Sequence, residues 1–279
     1  QIVNNTILSS GFDAIQVFGS SNIAIEGNCI KNSNRLLINN SINITVKGNF
    51  IYVSGSNGIE ITSSQADLVN NFIFTDSDNS IKGILATSLT NSSFFNNTIR
   101  IGGVNTGSRA IELYSSSNLH IKNNVLAVTS GGFVISSYSA VNLGTWDYNN
   151  YFSTNGLIAQ ADGLSYATLA SWRSYVGGES NGLNLNPYFA TDSSYQVYQR
   201  GLNGAGIPIP GILLDIEGQI RNNQAPDIGC DEFMVDFGIT QLLSPTLECM
   251  HGPNDSVTLL LRQFGDVPFT DIKIAYNVN

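Results

Sequence analysis

Short runs of alternating apolar and polar residues recur along the first 160 residues of the chain. One kind reads AIQV at 14–17, a second reads ITV at 44–46, and a third reads FIYV at 50–53. Alternation places successive side chains on opposite faces of an extended chain, as in a half-buried strand. Gly, Ser and Asn fill the gaps between the runs, as expected for turns. The pattern predicts repeated units of three short strands and three turns.

An asparagine follows the second run of each unit, within the phrases NNTI, GNCI, GNFI, NNFI, NNTI, NNVL and NNYF. These asparagines are Asn5, Asn28, Asn49, Asn71, Asn97, Asn124 and Asn150. They lie 21 to 27 residues apart, which is a period typical of a solenoid. A leucine-rich repeat has a similar period, but it requires a Leu-x-x-Leu-x-Leu frame that these Ile- and Val-rich runs lack. Three strands in about 22 residues predict one coil of a parallel β-helix.

The repeated asparagine has a structural interpretation. A tight turn needs a residue that tolerates the left-handed backbone conformation, and asparagine does so. Coils of a parallel β-helix stack about 4.8 Å apart, so each asparagine would lie over the previous one and their amides would form a hydrogen-bonded ladder. We therefore interpret this column as a structural ladder and assign it no chemistry.

On these runs and spacings, residues 1–160 resemble the right-handed parallel β-helix superfamily, the pectate-lyase-like architecture that also occurs in many secreted bacterial surface proteins. The resemblance implies an all-β fold with three strands per coil. It says little about activity, because the same architecture serves as an enzyme scaffold and as a binding surface.

The repeat stops after Tyr151, and residues 161–235 are predicted to form a C-terminal cap of helix and loop. The stretch SYATLASWRSYVGG at 165–178 predicts a helix that starts from Ser165 as N-cap and ends at Gly177. The continuation of the helix through NGLNLNPYFATDSSYQV at 181–197, followed by DIEGQIRNNQAPDIGCDEF at 215–233, resembles the terminal segment of β-helix proteins secreted by Bacteroidota. That resemblance implies export by a dedicated outer-membrane route of the type IX kind. The residues that carry it are Trp172, Pro187, Phe189, Asp215, Gly218, Arg221, Pro226, Asp227, Ile228, Gly229, Asp231, Glu232 and Phe233.

Residues 236–279 begin a different pattern, with strand-like runs FGITQLLSP, DSVTLLLRQFG and DIKIAYNVN. They resemble the opening half of an immunoglobulin-like, CARDB-like adhesion module. Such a sandwich needs about 100 residues. We therefore expect the chain to be an excerpt of a longer polypeptide, whose remainder or another secreted subunit would be its partner.

Composition excludes several classes of function. The formal net charge is −9 and the chain has no run of Lys or Arg, which argues against nucleic acid as a partner. No apolar stretch is long enough to span a membrane, so we expect no membrane insertion. Only 12% of residues are charged, which is typical of extracellular β-rich proteins, and with the resemblance to secreted proteins this leads us to expect an extracellular or cell-surface location. Cys29, Cys230 and Cys249 have no CxxC spacing, and the pairing of Cys230 with Cys249 is left open.

Two acidic residues are the candidates for catalysis. Glu60 and Glu112 fall in the same outward column of the first strands, two coils apart with Leu85 between them. The separation would be about 10 Å, near the upper end of the range for inverting glycoside hydrolases. His120 is interpreted as a surface residue, because we expect the repeat to place no serine, cysteine or second histidine beside it. We favour ordinary surface roles for all of these side chains.

A lyase would need a calcium site with a basic residue beside it. Asp76, Asp78 and Asn79 in the stretch TDSDNS are the candidate ligands, with basic residues on neighbouring coils. Asp and Asn are also the residues expected in a turn, and we favour that interpretation. We therefore predict no cofactor, with calcium as the only candidate.

Aromatic residues near the last coil are the candidates for ligand binding. Trp146, Tyr148, Tyr151 and Tyr138 present apolar ring faces and polar tips of the kind that stack on sugars. The leading hypothesis is a non-catalytic extracellular β-helix segment of a large secreted or cell-surface adhesin-like bacterial protein that binds polysaccharide or surface glycan. The alternative is a polysaccharide lyase or glycoside hydrolase with its groove on a face of the β-helix.

Overall fold

The computed structural model describes residues 1–8, 11–55, 57–139, 143–191, 193–234, 237–244, 256–263 and 265. The chain divides into two compact units, Gln1–Glu232 and Phe233–Asn279. Among the described residues, no helix has the length and hydropathy needed to cross a membrane.

The first unit is built from short strands. In chain order they are β1 Ile2–Val3, β2 Thr6–Leu8, β3 Ile15–Phe18, β4 Ser21–Glu26, β5 Cys29–Ser33, β6 Leu36–Asn39, β7 Ile42–Lys47, β8 Phe50–Val53, β9 Ile59–Thr62, β10 Ala66–Val69, β11 Phe72–Thr75, β12 Lys82–Thr87, β13 Thr90–Phe95, β14 Thr98–Ile101, β15 Arg109–Tyr114, β16 Ser117–Lys122, β17 Val125–Val128, β18 Ile135–Tyr138, β19 Gly144–Asp147, β20 Asn150–Ser153, β21 Ala159–Ala161 and β22 Leu164–Tyr166. An α-helix, α1, follows at Leu169–Val176, and a 3-10 turn lies at Arg200–Leu202.

These strands form three sheets. Sheet A has the order β1-β4-β7-β10-β13-β16-β19, sheet B has the order β2-β5-β8-β11-β14-β17-β20, and sheet C has the order β22-β21-β18-β15-β12-β9-β6-β3. Each strand pairs in parallel with the strand three places later in the chain, as Leu68 of β10 pairs with Phe94 of β13 and Phe94 with Ile121 of β16. Only the β21–β22 pair of these sheets is antiparallel. The described chain is thus an all-β parallel solenoid with three strands per coil, as the repeat predicted.

The core lies inside the coils and is made of stacked aliphatic side chains. In sheet C the inward column is fully or almost fully buried, and it consists of Ile15, Leu36, Ile59, Ile84, Ile111 and Ile135. Each such side chain contributes roughly 1.5–3 kcal/mol through burial. Gly83 is required for close packing, because a Cβ there would lie 2.4 Å from Cγ2 of Ile99 and 2.7 Å from the carbonyl oxygen of Ala110.

A buried column of asparagine side chains runs along the turn between sheets A and B. Each side-chain amide donates to Oδ1 of the asparagine one coil later, at 2.8 to 3.0 Å, from Asn5 through Asn28, Asn49, Asn71, Asn97 and Asn124 to Asn149. Asn97 also donates to the carbonyl oxygen of Leu68 and accepts from the backbone N–H of Asn71. Its Oδ1 accepts from the Asn71 amide as well. The side chain of this buried rung therefore uses its full hydrogen-bonding capacity.

The prediction of Asn150 as the last asparagine of the column was wrong. Asn149, and not Asn150, occupies the final asparagine rung, because the two-residue turn there consists of Tyr148 and Asn149 and strand β20 already begins at Asn150. Asn150 instead exchanges two hydrogen bonds of 2.9 Å with the backbone of Leu185. The ladder then ends on a carboxylate, since the Asn149 amide donates to Oε1 of Glu179 at 2.7 Å.

The left-handed conformation was also assigned to the wrong residue of each turn. Positive φ occurs at the residue before each ladder asparagine, namely Asn4, Gly27, Gly48, Asn70, Asn96, Asn123 and Tyr148. The ladder asparagines themselves have ordinary φ. The repeated NN and GN pairs therefore combine two requirements, a first residue that tolerates positive φ and a second that supplies the amide.

A second column, made of serine hydroxyls, lies at the turn between sheets C and A and was not predicted. The Ser41 hydroxyl accepts from the backbone N–H of Ser20 at 3.1 Å, and the Ser64 hydroxyl accepts from the N–H of Ser41 at 3.0 Å. Further along the solenoid, the Ser116 hydroxyl accepts from the N–H of Leu89 at 3.1 Å. Ser41 and Leu89 are buried, so their N–H groups would otherwise lack a partner.

Helix α1 starts later than predicted. Its N-cap is Thr168, whose hydroxyl accepts from the N–H of Ser171 at 3.2 Å in a capping box. Ser165 is not available as a cap, because it belongs to β22 and pairs with Gln160 of β21. The helix ends at Gly177 in the left-handed conformation, as predicted. Trp172 is fully buried and contacts the ring of Trp146, with ring centroids 5.6 Å apart.

The segment after α1 returns along the coils and bonds to the left-handed asparagines. The Asn70 amide donates to the carbonyl oxygen of Leu214 at 2.6 Å, and the Asn123 amide donates to that of Ile207 at 2.7 Å. Arg221 donates to Oδ1 of Asn70 at 3.1 Å and forms an ion pair with Glu232 at 3.2 Å. These contacts give the acidic residues and the arginine near the end of this unit a structural role.

The second unit is described in part. Strands β23 Phe237–Ser244 and β24 Thr258–Gln263 form an antiparallel pair in which Ile239 faces Leu261 and Leu242 faces Leu259. The third predicted run at 271–279 and the residue Cys249 lie outside the described residues.

Replacing Asn97 by Ala is expected to lower the free energy of unfolding by roughly 3–5 kcal/mol, because four buried groups lose a partner at once. Urea unfolding followed by circular dichroism measures the change. The matched control is Asn5→Ala, which removes the exposed first rung and should cost less than about 1 kcal/mol. Equal losses of unfolding free energy in the two variants would show that burial of the ladder does not contribute to stability.

Glu179 gives the first unit a pH-dependent stability. Burial raises the pKa of this carboxyl to about 7, against the opposing hydrogen bonds from Tyr151 and Asn149 and with a further increase from nearby Asp147. The folded state therefore binds the proton more tightly than the unfolded state, whose pKa is about 4.5. The contribution of this group to the free energy of unfolding is fully present at low pH. It falls by about 3 kcal/mol in total as the pH rises towards and through 7.

We expect urea unfolding at pH 5 and pH 8 to show this loss in the wild type and a smaller loss in Glu179→Gln, which keeps the shape but does not titrate. Because the other titrating groups are common to both proteins, the difference between the two losses isolates Glu179. An identical pH dependence in the variant would refute the assignment.

Candidate functional site

The outer face of sheet C carries the two candidate acids. The strand register places Leu37, Glu60, Leu85, Glu112 and Ser136 in one outward column. Glu60 and Glu112 are therefore two coils apart, about 9.6 Å along the column, with an aliphatic side chain between them.

Glu60 is held in a network of charges. Its Oε2 accepts from Arg35 at 2.6 Å and from the Asn57 amide at 3.0 Å, and Arg35 also contacts Asp13 at 3.0 Å. Burial acts to lower the pKa of Arg35, but hydrogen bonding and attraction from Glu60 and Asp13 outweigh it and raise the pKa above its ordinary value. Oε2 of Glu60 is thus held by two donors within the chain.

Glu112 is buried and accepts a hydrogen bond from the Tyr114 hydroxyl at 3.0 Å. Burial and this bond to Glu112 raise the pKa of Tyr114 to about 12. The nearby Arg109 uses its guanidinium on Ser136 at 2.6 Å and on backbone carbonyls of the adjacent turn, and burial lowers the pKa of Arg109. This face thus presents charges that already have partners within the chain.

The candidate calcium ligands hold a turn together. Asp76 forms an ion pair with Arg100 at 2.7 Å, the Asp78 carboxylate accepts from the N–H of Val104 at 3.1 Å, and the Asn79 amide donates to the carbonyl oxygen of Ser54 at 3.3 Å. In the part of the chain that the structure describes, no group of three or more His, Cys, Asp or Glu residues is placed to hold a metal ion.

Two of the four candidate aromatic residues are not available to a ligand. Trp146 is 2% exposed and donates to the carbonyl oxygen of Leu143, and Tyr151 is fully buried with its hydroxyl on Glu179 at 2.6 Å. Burial raises the pKa of Tyr151, with a further increase from Glu179. These rings close the core at the last coil, so their assignment to sugar binding was wrong.

The other two candidates are only partly accessible. Tyr148 is half-buried and adopts positive φ in the turn before Asn149. Tyr138 is half-buried and stacks on Tyr114, with centroids 4.9 Å apart and planes inclined by 16°. Each ring of such a stack covers one face of the other. A ligand would therefore meet the ring edges and hydroxyl groups of this pair more readily than a flat ring face.

His120 has polar neighbours that the sequence analysis overlooked. The register of sheet A places Asp67, Ser93, His120 and Thr145 in one outward column. His120 Nδ1 lies 2.7 Å from the Thr145 hydroxyl, while the Ser93 hydroxyl donates to Asp67. In a Ser-His-Asp triad the histidine takes the serine proton, so the observed pairing is a different arrangement. Ser93 lies two residues before Phe95, just as His120 lies two residues before Lys122. This equal spacing was the sequence signal that Ser93 and His120 share a column.

An aromatic cleft on the outer face of sheet B was also overlooked. Phe50 and Tyr52 of β8 lie beside Phe72 and Phe74 of β11, and Tyr195 of the returning segment approaches them edge-on. The Tyr52 and Phe74 rings stack at 4.6 Å. The cleft has a volume of about 230 Å³. We call this feature the sheet B cleft.

Polar groups lie at the rim of the sheet B cleft. Lys31 and Ser193 line it and are exposed. Tyr195 donates its hydroxyl to Glu217, and burial followed by this contact raises the pKa of Tyr195 well above its usual range. The bond to Glu217 thus holds the Tyr195 ring in place, while the Lys31 ammonium group and the Ser193 hydroxyl remain accessible. An apolar floor with a polar rim fits a ligand that has one apolar face and several hydroxyl groups.

Removing calcium with a chelator is expected to leave the melting temperature unchanged, because Asp76 and Asp78 already bond within the chain and a stabilising ion would act only through a folded site. Thermal unfolding with EDTA and with excess calcium tests this. A calcium-dependent increase in melting temperature that Asp78→Ala abolishes would contradict the structural role of the turn.

Comparison with known proteins gives one match. The family model described as the right handed beta helix region matches residues 1–157. Searches of curated proteins and of solved structures found no significant match. The matched region covers more than half of the chain and coincides with the coils of the solenoid. The chain belongs to the right-handed β-helix family.

Proposed function

We propose that this chain is a non-catalytic β-helix segment of a secreted or cell-surface protein of the adhesin type, and that it binds glycan in the sheet B cleft. The observation that carries the proposal is the cleft itself, in which Phe50, Tyr52, Phe74 and Tyr195 surround a space of about 230 Å³ with Lys31 at the rim.

The shape and chemistry of the cleft suit a sugar ring. A pyranose has an apolar face of C–H groups that packs on aromatic rings and an edge of hydroxyl groups that needs hydrogen-bond partners. Tyr52 and Phe74 supply aromatic surface, and Ser193 and Lys31 supply exposed polar groups. The volume accommodates one ring rather than a long stretch of polymer, so we expect recognition of a single residue or of a chain end.

The polar face of sheet C supports a binding role over catalysis. A glycoside hydrolase needs one carboxyl group that gives up a proton and a second that is free to act as base or nucleophile. Glu60 forms an ion pair with Arg35, and Glu112 is buried and accepts a hydrogen bond from the Tyr114 hydroxyl. The lyase alternative needs a calcium site, and its candidate ligand Asp76 already forms an ion pair with Arg100.

The other parts of the chain fit an extracellular assembly of modules. We propose that residues 161–235 act as the C-terminal cap of the solenoid, supported by the buried Trp172 and by the bond from Asn149 to Glu179. We also propose that residues 236–279 begin an immunoglobulin-like module of the kind found in Bacteroidota surface proteins. The antiparallel β23–β24 pair and the exposed Ile239 and Leu260 support it.

Binding is tested by isothermal titration of the 279-residue chain with neutral oligosaccharides, namely cellohexaose, xylohexaose, maltohexaose and chitohexaose. We expect at least one of them to bind, and we expect Tyr52→Ala to weaken it at least tenfold, because the variant loses an aromatic surface of the cleft. The matched control is Tyr114→Ala, which removes a stacked tyrosine from sheet C and should leave the affinity unchanged.

Two outcomes would overturn the proposal. If all four sugars fail to bind, or if Tyr114→Ala weakens binding as much as Tyr52→Ala does, the sheet B cleft is not a glycan site. If the chain releases reducing ends or unsaturated products from a polysaccharide panel, and Glu112→Gln abolishes the release, the enzyme alternative replaces it.

A further inference from the structure

A cavity of about 530 Å³ lies where the returning segment passes Lys47, the last residue of β7. Its apolar lining is made of Leu213, Leu214 and Ile220. These side chains are 71%, 44% and 82% exposed, so the cavity opens to solvent. Contiguous exposed apolar surface on a soluble protein often marks a binding site. The cavity shares no lining residue with the sheet B cleft.

A second cavity, of about 250 Å³, adjoins the first and extends it. Three residues line both cavities: Leu213, Arg221 and Asn223. Lys47 lines the first cavity and Asn96 lines the second. The register of sheet A places Lys47 two coils from Phe95, the residue before Asn96, which is about 9.6 Å along the solenoid. We call the two cavities together the Leu213 groove. Its length suits a linear molecule better than a compact one.

Lys47 gives the Leu213 groove a positive charge. Its side chain is half-buried, and Glu26 and Val69 flank it in the register of sheet A. Among the residues that the structure describes, its ammonium group has no hydrogen-bond or ion-pair partner. Arg221, the other cation of the groove, is already paired with Glu232 at 3.2 Å. None of the described residues that line either cavity is acidic, so the charge of Lys47 is not compensated within the groove.

This arrangement selects a ligand with an anionic head and an apolar body. A carboxylate gains attraction from Lys47, whereas an ammonium group would be repelled and a neutral hydroxyl would form no ion pair. An alkyl chain lying along Leu213 removes apolar surface of both partners from water, and the gain grows with each methylene group that is buried. The formal net charge of −9 disfavours an anionic bilayer as the source of such a chain, so we take the occupant to be a free molecule. We propose that the Leu213 groove binds an alkyl carboxylate of the fatty-acid type, with the carboxylate at Lys47 and the chain directed towards Asn96.

The test uses the 279-residue chain at pH 7 and ligand-detected NMR titrations with four probes: octanoate, 1-octanol, octylamine and butanoate. We expect octanoate to bind in the millimolar range or better, and at least about fivefold more tightly than 1-octanol or octylamine, because only octanoate forms an ion pair with Lys47. Butanoate lacks four methylene groups and should bind at least about tenfold more weakly than octanoate. Lys47→Gln should remove the preference for octanoate over 1-octanol, and Leu213→Asp should abolish the binding of both.

Each variant has a matched control away from the Leu213 groove. Lys122→Gln removes a half-buried lysine from the same column of sheet A. Leu164→Asp replaces a leucine that is 64% exposed. Both controls should bind the four probes as the wild type does. Circular dichroism of each variant establishes that it is folded.

Three outcomes would overturn the proposal. If octanoate binds no more tightly than 1-octanol, or if its preference survives Lys47→Gln, then Lys47 does not recognise the head group. If Leu164→Asp weakens binding as much as Leu213→Asp does, the alkyl chain does not lie in the groove. If the chain sediments with phosphatidylglycerol vesicles and Leu213→Asp prevents this, the groove contacts a lipid surface and not a free acid.

Discussion

The fold depends on satisfying the polar groups of a buried turn that repeats along the solenoid. At the turn between sheets A and B, each ladder asparagine bonds to the next rung and to backbone groups, so Asn97 leaves no donor or acceptor unused. Because each Oδ1 must meet the amide one coil away, the ladder fixes the length of this turn. It is two residues long in every coil, from Asn4-Asn5 to Tyr148-Asn149. Variation in coil length is accommodated elsewhere, mainly between sheets B and C, where two residues separate β5 from β6 and seven separate β14 from β15.

The same turn attaches the C-terminal part of the first unit. The second asparagine of each NN pair enters the ladder, whereas the first, in the left-handed conformation, bonds to the returning segment at Asn70 and Asn123. Glu179 closes the ladder with a buried carboxylate that accepts from Asn149 and Tyr151. One repeated dipeptide therefore stabilises both the stacking of the coils and the docking of the segment that follows them.

Concave surfaces arise where that segment meets the coils. Tyr195 completes the sheet B cleft over aromatic residues of β8 and β11, and Arg221 completes the wall of the cavity beside Asn96. The outer face of sheet C, by contrast, contains ion pairs within the chain, such as Arg35 with Glu60. A regular coil presents flat rows of side chains, and a concave site needs a second element packed on it.

The sequence alone determined the coil, its three strands and the column of asparagines, because strand alternation and the repeat period are local properties of the chain. It did not decide between Asn149 and Asn150, since the phrase DYNNYF offers two asparagines and only the start of β20 identifies the buried one. Nor did it show that Trp146 and Tyr151 are buried, which follows from packing against Trp172 and Glu179. The sheet B cleft requires Tyr195, more than 120 residues after Phe74. Only the tertiary structure decided these points, because the exposure of a side chain depends on which distant segment covers it.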